Sequence, residues 1–158
     1  AIIGGGDGGV ARELSSKGFN LIDWYELDPE VVKVCQKHLL KVCGDIKANN
    51  KVKTYWGDAF ESIKKVKNSK YDKIFVDLND DQFCIDLAAK NMKGLKRILK
   101  PGGVITAQVG CMSKKPRQVK NWLELLKNNF GNVILDEVFI PSFDCRWNFA
   151  SSSNRDHS

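Results

Sequence analysis

The sequence has no long apolar run, only two histidines and no Cys-x-x-Cys pair. No segment approaches the roughly 20 apolar residues that a transmembrane helix needs, so we expect no membrane partner. Histidine is scarce and the cysteines are dispersed, so we also expect no metal site. The sequence lacks an Asn-x-Ser/Thr glycosylation site and a signal peptide, and it has an odd number of cysteines, five. These features favour a cytoplasmic location with reduced thiols, each most simply a small buried side chain.

The positive charge of the chain is carried mainly by lysine. The net charge of +6 raises the question of nucleic-acid binding. The lysines are scattered over predicted helix faces, and the densest group, within residues 64–73, lies where a helix should end and cations complement the helix dipole. We therefore expect a solvated lysine surface and no nucleic-acid partner.

Apolar runs alternate with helical patterns along the chain, which is typical of an α/β protein built from βαβ units. Short connections and right-handed crossovers predict a Rossmann-like, doubly wound sheet that is mostly parallel, with an antiparallel hairpin at its C-terminal end. The predicted strands are Ile2–Ile3, Leu21–Tyr25, Val52–Trp56, Tyr71–Val76, Val104–Val109, Val133–Phe139 and Trp147–Ala150. The predicted helices are Val10–Ser16, Glu30–Leu40, Ala59–Lys65, Ile85–Leu99 and Gln118–Phe130.

A length of 158 residues suits one domain with a sizeable core. We place that domain at residues 1–151 and expect a disordered tail at residues 152–158, which are polar and charged. Ala1 lies within the predicted central strand, so we expect the chain to be part of a longer protein.

A glycine-rich turn, Gly4-Gly5-Gly6-Asp7-Gly8-Gly9, connects the first strand to a helical pattern. Turns of this kind let bare backbone approach a nucleotide. About 20 residues further on, Glu26 closes the next apolar run, at the spacing where a carboxylate accepts hydrogen bonds from ribose hydroxyls. The two features together predict a nucleoside site.

Acidic residues end the first four predicted strands, at the edge where open parallel sheets bind ligands. After the glycine turn come Glu26-Leu27-Asp28, Gly57-Asp58-Ala59 and Asp77-Leu78-Asn79-Asp80-Asp81. Each has an alternative interpretation, because Asp commonly caps the helix that follows a strand. We interpret Asp58 as an acceptor for an adenine amino group, with Ala59 supplying a backbone N–H. Asp77 emerges from a buried strand and is the leading catalytic candidate.

These segments resemble, in order and spacing, the sequence blocks of the polyamine aminopropyltransferases, which are the spermidine, spermine and thermospermine synthases. The resemblance spans nearly the whole chain. The matching blocks are Gly-Gly-Gly-Asp-Gly-Gly at 4–9, Glu-Leu-Asp at 26–28, Gly-Asp-Ala-Phe at 57–60, Asp-x-x-Asp at 77–80 and Leu-Lys-Pro-Gly-Gly at 99–103. The fold that it implies is the one shared with S-adenosylmethionine-dependent methyltransferases.

The resemblance implies a donor, decarboxylated S-adenosylmethionine, and a polyamine acceptor, putrescine or spermidine. Glu26 would hold the ribose, Asp58 the adenine, and Asp7 with Asp77 the ammonium of the aminopropyl group. Asp77 would also orient or deprotonate the acceptor amine, and Asp80 would help to hold the polyamine. The predicted catalytic residues are thus Asp77 and Asp80, and the predicted donor-binding residues are Gly4, Gly5, Gly6, Asp7, Gly8, Gly9, Glu26, Leu27, Asp58 and Ala59.

The sequence departs from the family in two ways. The segment Asp81-Gln82-Phe83-Cys84-Ile85 stands where the family has a proline and a longer gate loop, which puts acceptor choice and full activity in question. The family's upstream β-rich domain, which contributes acceptor contacts and oligomer interfaces, is not part of the sequence. We expect a homo-oligomer for the full-length protein.

Two other functions fit the same pattern. An ordinary S-adenosylmethionine-dependent methyltransferase would share the fold and the ribose-binding glutamate. Asp7 favours aminopropyl transfer, because its carboxylate would repel the carboxylate of intact S-adenosylmethionine and attract the decarboxylated form. A non-catalytic relative is favoured only by the altered loop, and the presence of Asp7, Glu26, Asp58 and Asp77 argues against it.

Overall fold

The structure, a computed structural model, describes residues 1–46 and 48–155. The chain divides into two compact units, Ala1–Lys65 and Val66–Ser158. Both alternate strands with helices, as the sequence predicts. Within the described ranges, no helix is long and apolar enough to cross a membrane.

The first unit is a three-stranded parallel sheet with its connecting helices. Strand β2 lies between β1 and β3 and is parallel to both, with Ile3 opposite Tyr25 and Glu26 opposite Trp56. The elements are β1 (Ile2–Gly4), α1 (Gly9–Ser16), β2 (Ile22–Glu26), α2 (Pro29–His38), α3 (Leu40–Cys43), β3 (Val52–Trp56) and α4 (Ala59–Ile63). The predicted helix at residues 30–40 is therefore two helices, because the first ends at His38 and a separate turn follows.

Local chemistry accounts for the helix starts of this unit. Pro29 occupies the first turn of α2, where its missing N–H costs nothing, and Asp28 accepts a hydrogen bond from the Glu30 N–H at 2.8 Å. The core is built on β2, whose five residues are all buried. The buried residues of this hydrophobic core are Ile2, Ala11, Ile22, Trp24, Val32, Cys43 and Ile46.

The second unit has strand order β4-β5-β7-β6, with β4 parallel to β5 and the last two strands antiparallel. The predicted C-terminal hairpin is confirmed, and a 3-10 turn at Pro141–Phe143 joins its strands. The elements are β4 (Tyr71–Asp77), α5 (Gln82–Ile98), β5 (Leu99–Gly110), α6 (Pro116–Phe130), β6 (Ile134–Ile140) and β7 (Cys145–Ser153).

Strand β5 begins earlier than predicted. The predicted strand begins at Val104, whereas β5 begins at Leu99, and Lys100-Pro101-Gly102-Gly103 forms an irregularity within it, since Leu99 pairs with Tyr71 and Val104 with Lys73. Gly102 has a φ of +72°, a conformation that glycine adopts without strain.

The predicted tail is partly ordered. Strand β7 continues to Ser153, and Asn154 is buried. The Asn154 backbone N–H donates to Gly103 O, and Asn154 O accepts from the Gly102 N–H, both at 2.7 Å. The expected disorder is therefore wrong for residues 152–154, because polar residues here complete a sheet rather than face water. Residues 156–158 lie outside the described part of the chain.

The expectation of five reduced thiols is also wrong, because Cys111 and Cys145 form a disulfide. They are 34 residues apart in sequence, and the antiparallel pairing of β5 with β7 brings them together. Spacing alone did not reveal this pair, since it depends on the strand register. Cys35, Cys43 and Cys84 are free thiols.

Candidate functional site

The glycine turn is built by backbone conformations that favour glycine. Gly4, Gly5 and Gly8 have φ values of +82°, +71° and +76°, and the Gly8 N–H donates to Gly5 O at 2.9 Å. A Cβ at Gly8 would lie 2.4 Å from Ile46 Cδ1 and 3.0 Å from Cys43 Cβ, and together with the positive φ these approaches would strain any larger residue at this position. The Trp24 indole N–H donates to Gly4 O at 2.6 Å and fixes the start of the turn to β2.

Asp7 lies exposed within this turn. Its Oδ1 accepts a hydrogen bond from the Gly9 N–H at 2.8 Å, which holds the carboxylate at the beginning of α1. A negative group there is stabilised by the helix dipole. The structure therefore presents a fixed, solvent-accessible negative charge beside the predicted nucleoside site.

Glu26 ends β2 and is 8% exposed. Its Oε1 accepts a hydrogen bond from the Asp28 N–H at 3.0 Å, so the local turn orients the carboxylate. Its Oε2 lies against Gly6 of the glycine turn. The predicted ribose acceptor and the predicted nucleoside-binding turn are thus neighbours, while Leu27 beside them is largely exposed.

Asp58 follows β3 and caps α4, since its Oδ1 accepts from the Phe60 N–H at 2.8 Å. The helix-cap interpretation is therefore confirmed. It is compatible with adenine recognition, because a carboxylate has two oxygens and capping occupies one of them. The Gly57 N–H donates to Glu26 O at 3.0 Å, which places the Asp58-Ala59 segment beside the end of β2. The first three predicted strand ends therefore meet at one edge of the first unit.

In the second unit, β4 ends at Asp77 and α5 begins at Gln82, so the connection is as short as the sequence indicates. Asp81 caps α5 by accepting from the Cys84 N–H at 2.8 Å. Asp80 has a different partner: its Oδ2 lies 3.0 Å from Lys115 Nζ. The predicted catalytic residues, Asp77 and Asp80, thus lie at one end of β4, and Asp80 forms an ion pair with Lys115 of the same chain.

Sequence reasoning missed several residues around this strand end. Gln108 of β5 donates from Nε2 to Leu78 O, and its Oε1 accepts from the Trp147 indole N–H at 2.8 Å. Trp147 packs on Phe143 with ring centroids 4.5 Å apart. No local signal marks Gln108 or Lys115, because their positions depend on the pairing of β5 with its neighbours.

Burial, together with a hydrogen bond to the Asp81 carboxylate and the negative charge of that group, raises the pKa of the Cys84 thiol to about 11. Burial also raises the pKa of Cys35. These thiols are therefore protonated near neutral pH and are poor nucleophiles. Within residues 1–46 and 48–155, no group of three or more His, Cys, Asp or Glu side chains could hold a metal ion.

Comparison with known proteins gives the chain's relatives. The family model described as the spermine/spermidine synthase domain matches residues 1–157. Proteins named polyamine aminopropyltransferase from Prochlorococcus marinus strains MIT 9215 and MIT 9301 are 34% and 33% identical over 97% of the chain. The chain covers 56% of each, so it spans about half the length of these relatives.

Solved structures show the same fold. One is a spermidine synthase in complex with the transition-state analogue AdoDATO, with a TM-score of 0.81 and 22% sequence identity. The match covers 97% of this chain and 51% of the spermidine synthase chain. Another is the spermidine synthase from Thermotoga maritima, with a TM-score of 0.83 and 23% sequence identity. That match covers 97% of this chain and 52% of the Thermotoga maritima chain. These likenesses confirm the predicted fold class, and the family match confirms the resemblance seen in the sequence. The chain belongs to the spermine/spermidine synthase family.

Proposed function

We propose that residues 1–154, which include the strand end at Ser153 and the buried Asn154, form the nucleoside-binding catalytic domain of a polyamine aminopropyltransferase. It transfers an aminopropyl group from decarboxylated S-adenosylmethionine to putrescine or spermidine and releases methylthioadenosine. The observation that carries the proposal is the fixed, exposed Asp7 carboxylate in a turn that also contacts buried Glu26. A methyltransferase must accept the donor's carboxylate, and a fixed negative charge at this place opposes it.

Donor binding is assigned to the first unit. The backbone of Gly4–Gly9 lies against the nucleoside, and Glu26 accepts hydrogen bonds from the ribose hydroxyls. Asp58 accepts a hydrogen bond from the adenine amino group, and the Ala59 backbone N–H donates one to the adenine. Leu27 offers an exposed apolar side chain beside Glu26 for the base. Asp7 binds the ammonium of the aminopropyl group by charge.

The proposed reaction is a displacement at carbon. The lone pair of the acceptor amine forms a bond to the aminopropyl carbon attached to the sulfonium, and the carbon–sulfur bond breaks. Its electron pair goes to sulfur, which becomes the neutral thioether of methylthioadenosine. The attacking amine must first be free of a proton, and the Asp77 carboxylate accepts that proton or orients the amine. Asp80 holds another ammonium of the acceptor.

The proposal also covers cofactors, binding partners, oligomeric state and cellular location. We propose chemistry without a metal, and no nucleic-acid or membrane partner. A homo-oligomeric full-length protein is supported by the family resemblance. A cytoplasmic location is supported by the three free thiols, whereas the disulfide Cys111–Cys145 counts against it.

Calorimetric titration with decarboxylated and intact S-adenosylmethionine tests the proposal. Like charges about 4 Å apart oppose each other by about 1 kcal/mol even in water, so we expect at least about fivefold tighter binding of the decarboxylated form. The preference should shrink in Asp7→Asn and persist in the control Asp136→Asn, which removes an exposed charge from β6. Tighter binding of intact S-adenosylmethionine by the unaltered chain would favour a methyltransferase instead.

A further inference from the structure

Asp80, the acid assigned to a polyamine ammonium, already has an ammonium partner in this chain. Lys115 Nζ lies 3.0 Å from Asp80 Oδ2, a distance typical of a charge-assisted hydrogen bond. A lysine side chain ends in a primary ammonium on a flexible alkyl stem, which is also the structure of a polyamine end. The internal group and the proposed substrate therefore present the same chemistry to the same oxygen.

The backbone of Lys115 is held in place. Its N–H donates to Cys111 O at 2.8 Å, and Lys115 O accepts from the Val119 N–H at 3.2 Å, in the first turn of α6. The disulfide to Cys145 ties Cys111 to the start of β7. The Met112 N–H donates to the buried Asn148 side chain at 3.0 Å. The backbone of Lys115 therefore keeps its side chain within reach of Asp80.

The side-chain ends remain free to exchange partners. The Asp80 and Lys115 side chains are 30% and 51% exposed. Gly110 leaves room beside the carboxylate, since a Cβ there would lie 3.8 Å from Asp80 Oδ2. An ammonium released from Asp80 returns to water at small cost, because exposed ion pairs are weak.

We propose that Lys115 is an internal competitor of the acceptor polyamine, so that the polyamine must displace the lysine ammonium from Asp80 in order to bind. The inference rests on the proposed function, which assigns Asp80 to the acceptor. Lys115 thereby weakens acceptor binding without touching the donor.

The chain supplies a matched control. Lys114 belongs to the same loop and carries the same charge, but its Nζ donates to Phe143 O at 2.8 Å. Lys114→Met and Lys115→Met therefore remove equal charge from adjacent positions, and only the second frees Asp80. Methionine keeps an unbranched stem of similar length, and Lys115→Gln provides a second variant in case the first fails to fold.

Calorimetric titration of spermidine in the presence of methylthioadenosine tests the inference. Removal of an exposed ion pair changes an affinity by roughly two- to fivefold, so Lys115→Met should bind spermidine tighter by that factor. Methylthioadenosine affinity should not change, and Lys114→Met should match the unaltered chain. In an Asp80→Asn background, Lys115→Met should have no further effect, since the two residues act as one unit.

The salt dependence gives a second readout. In the unaltered chain, a spermidine ammonium replaces the Lys115 ammonium at Asp80, so the carboxylate has a cationic partner both before and after binding. In Lys115→Met, binding neutralises a bare carboxylate, and the affinity for spermidine should fall more steeply with added salt. Spermidine binding that is unchanged or weaker in both Lys115 variants overturns the inference. If the unaltered chain binds neither methylthioadenosine nor spermidine, the proposed function itself fails.

Discussion

Glu26 and Gly6 are close neighbours at the first unit's sheet edge: Glu26 Oε2 lies 3.3 Å from the position that a Cβ at Gly6 would occupy. The same Cβ would lie 2.9 Å from Val31 Cγ1. The contact follows from the parallel pairing of β1 with β2, which brings their carboxyl ends together. It couples the shape of the turn to the orientation of the acid that we assign to the ribose.

Gly6→Ala should therefore weaken methylthioadenosine binding by roughly tenfold, because the new methyl group displaces the Glu26 carboxylate. Calorimetry measures this loss. In the double variant Gly6→Ala with Val31→Ala, the clash with Val31 is relieved and only the contact with Glu26 remains. If the double variant regains full affinity, the Glu26 carboxylate was not the group disturbed.

Glu26→Gln should weaken methylthioadenosine binding by roughly 10- to 100-fold, since it replaces charge-assisted hydrogen bonds to the ribose with neutral ones. The exposed Glu30 of α2, which pairs with Lys33 at 2.5 Å, provides the control Glu30→Gln. That control should bind normally. Equal binding by both variants would remove Glu26 from the ribose site.

Asp77→Asn should lower turnover by roughly two to four orders of magnitude, because it keeps the shape but removes the proton acceptor. Methylthioadenosine binding should change much less. Initial rates with saturating donor and acceptor measure the first effect. Asp81→Asn is the control at the same loop, since asparagine caps a helix about as well as aspartate. Near-normal turnover in Asp77→Asn would exclude the proposed role.

Reduction of the Cys111–Cys145 disulfide should destabilise the protein. The bond joins residues 34 apart, and the chain-entropy model gives about 3–4 kcal/mol for a loop of this size. Urea unfolding with and without dithiothreitol measures the difference, and Cys145→Ser should behave as the reduced protein does. Cys84→Ser, at a free thiol, should leave the effect of dithiothreitol intact. Equal midpoints with and without reductant would show that the bond adds no stability.

Cys84 should react slowly with iodoacetamide. Its pKa of about 11, against an ordinary value of 9.0, lowers the thiolate fraction at pH 8 by about 100-fold. Site-resolved mass spectrometry of alkylated peptides follows the rate. Asp81→Asn removes the neighbouring negative charge and should accelerate the reaction. Alkylation at the rate of an unstructured cysteine peptide would contradict the burial of this thiol.

The sequence predicts the first unit well because its signals are local. Strand β3 occurs at the predicted residues, Val52–Trp56, and Asp28 and Asp58 cap helices as Asp does after strands. The meeting of the glycine turn with Glu26 follows from strand order in a parallel βαβ unit. These are short-range patterns, and periodicity together with turn chemistry is sufficient to find them.

The second unit contains three long-range features that the sequence did not predict. The Cys111–Cys145 disulfide, the Lys115–Asp80 ion pair and the burial of Asn154 all join residues more than 30 positions apart. Each depends on the pairing of strands that are distant in sequence, which brings together the loops and strand ends that carry these side chains. The polar composition of residues 152–154 wrongly predicted disorder, because polar residues are typical of both disordered tails and sheet ends.

The backbone pairing of Asn154 with Gly102 and Gly103 has a consequence for how the second unit folds. Its side-chain amide also donates to Leu99 O at 3.1 Å, across 55 positions of sequence. A contact between such distant positions forms only after a large loop closes, and domains rich in such contacts fold slowly. During synthesis, β5 can pair with β4 as soon as both strands have been made, but the backbone of Gly102 and Gly103 stays without its second partner until the chain has reached residue 154. The first unit, with shorter-range pairings, has no such wait, so it should acquire hydrogen-exchange protection earlier than the second.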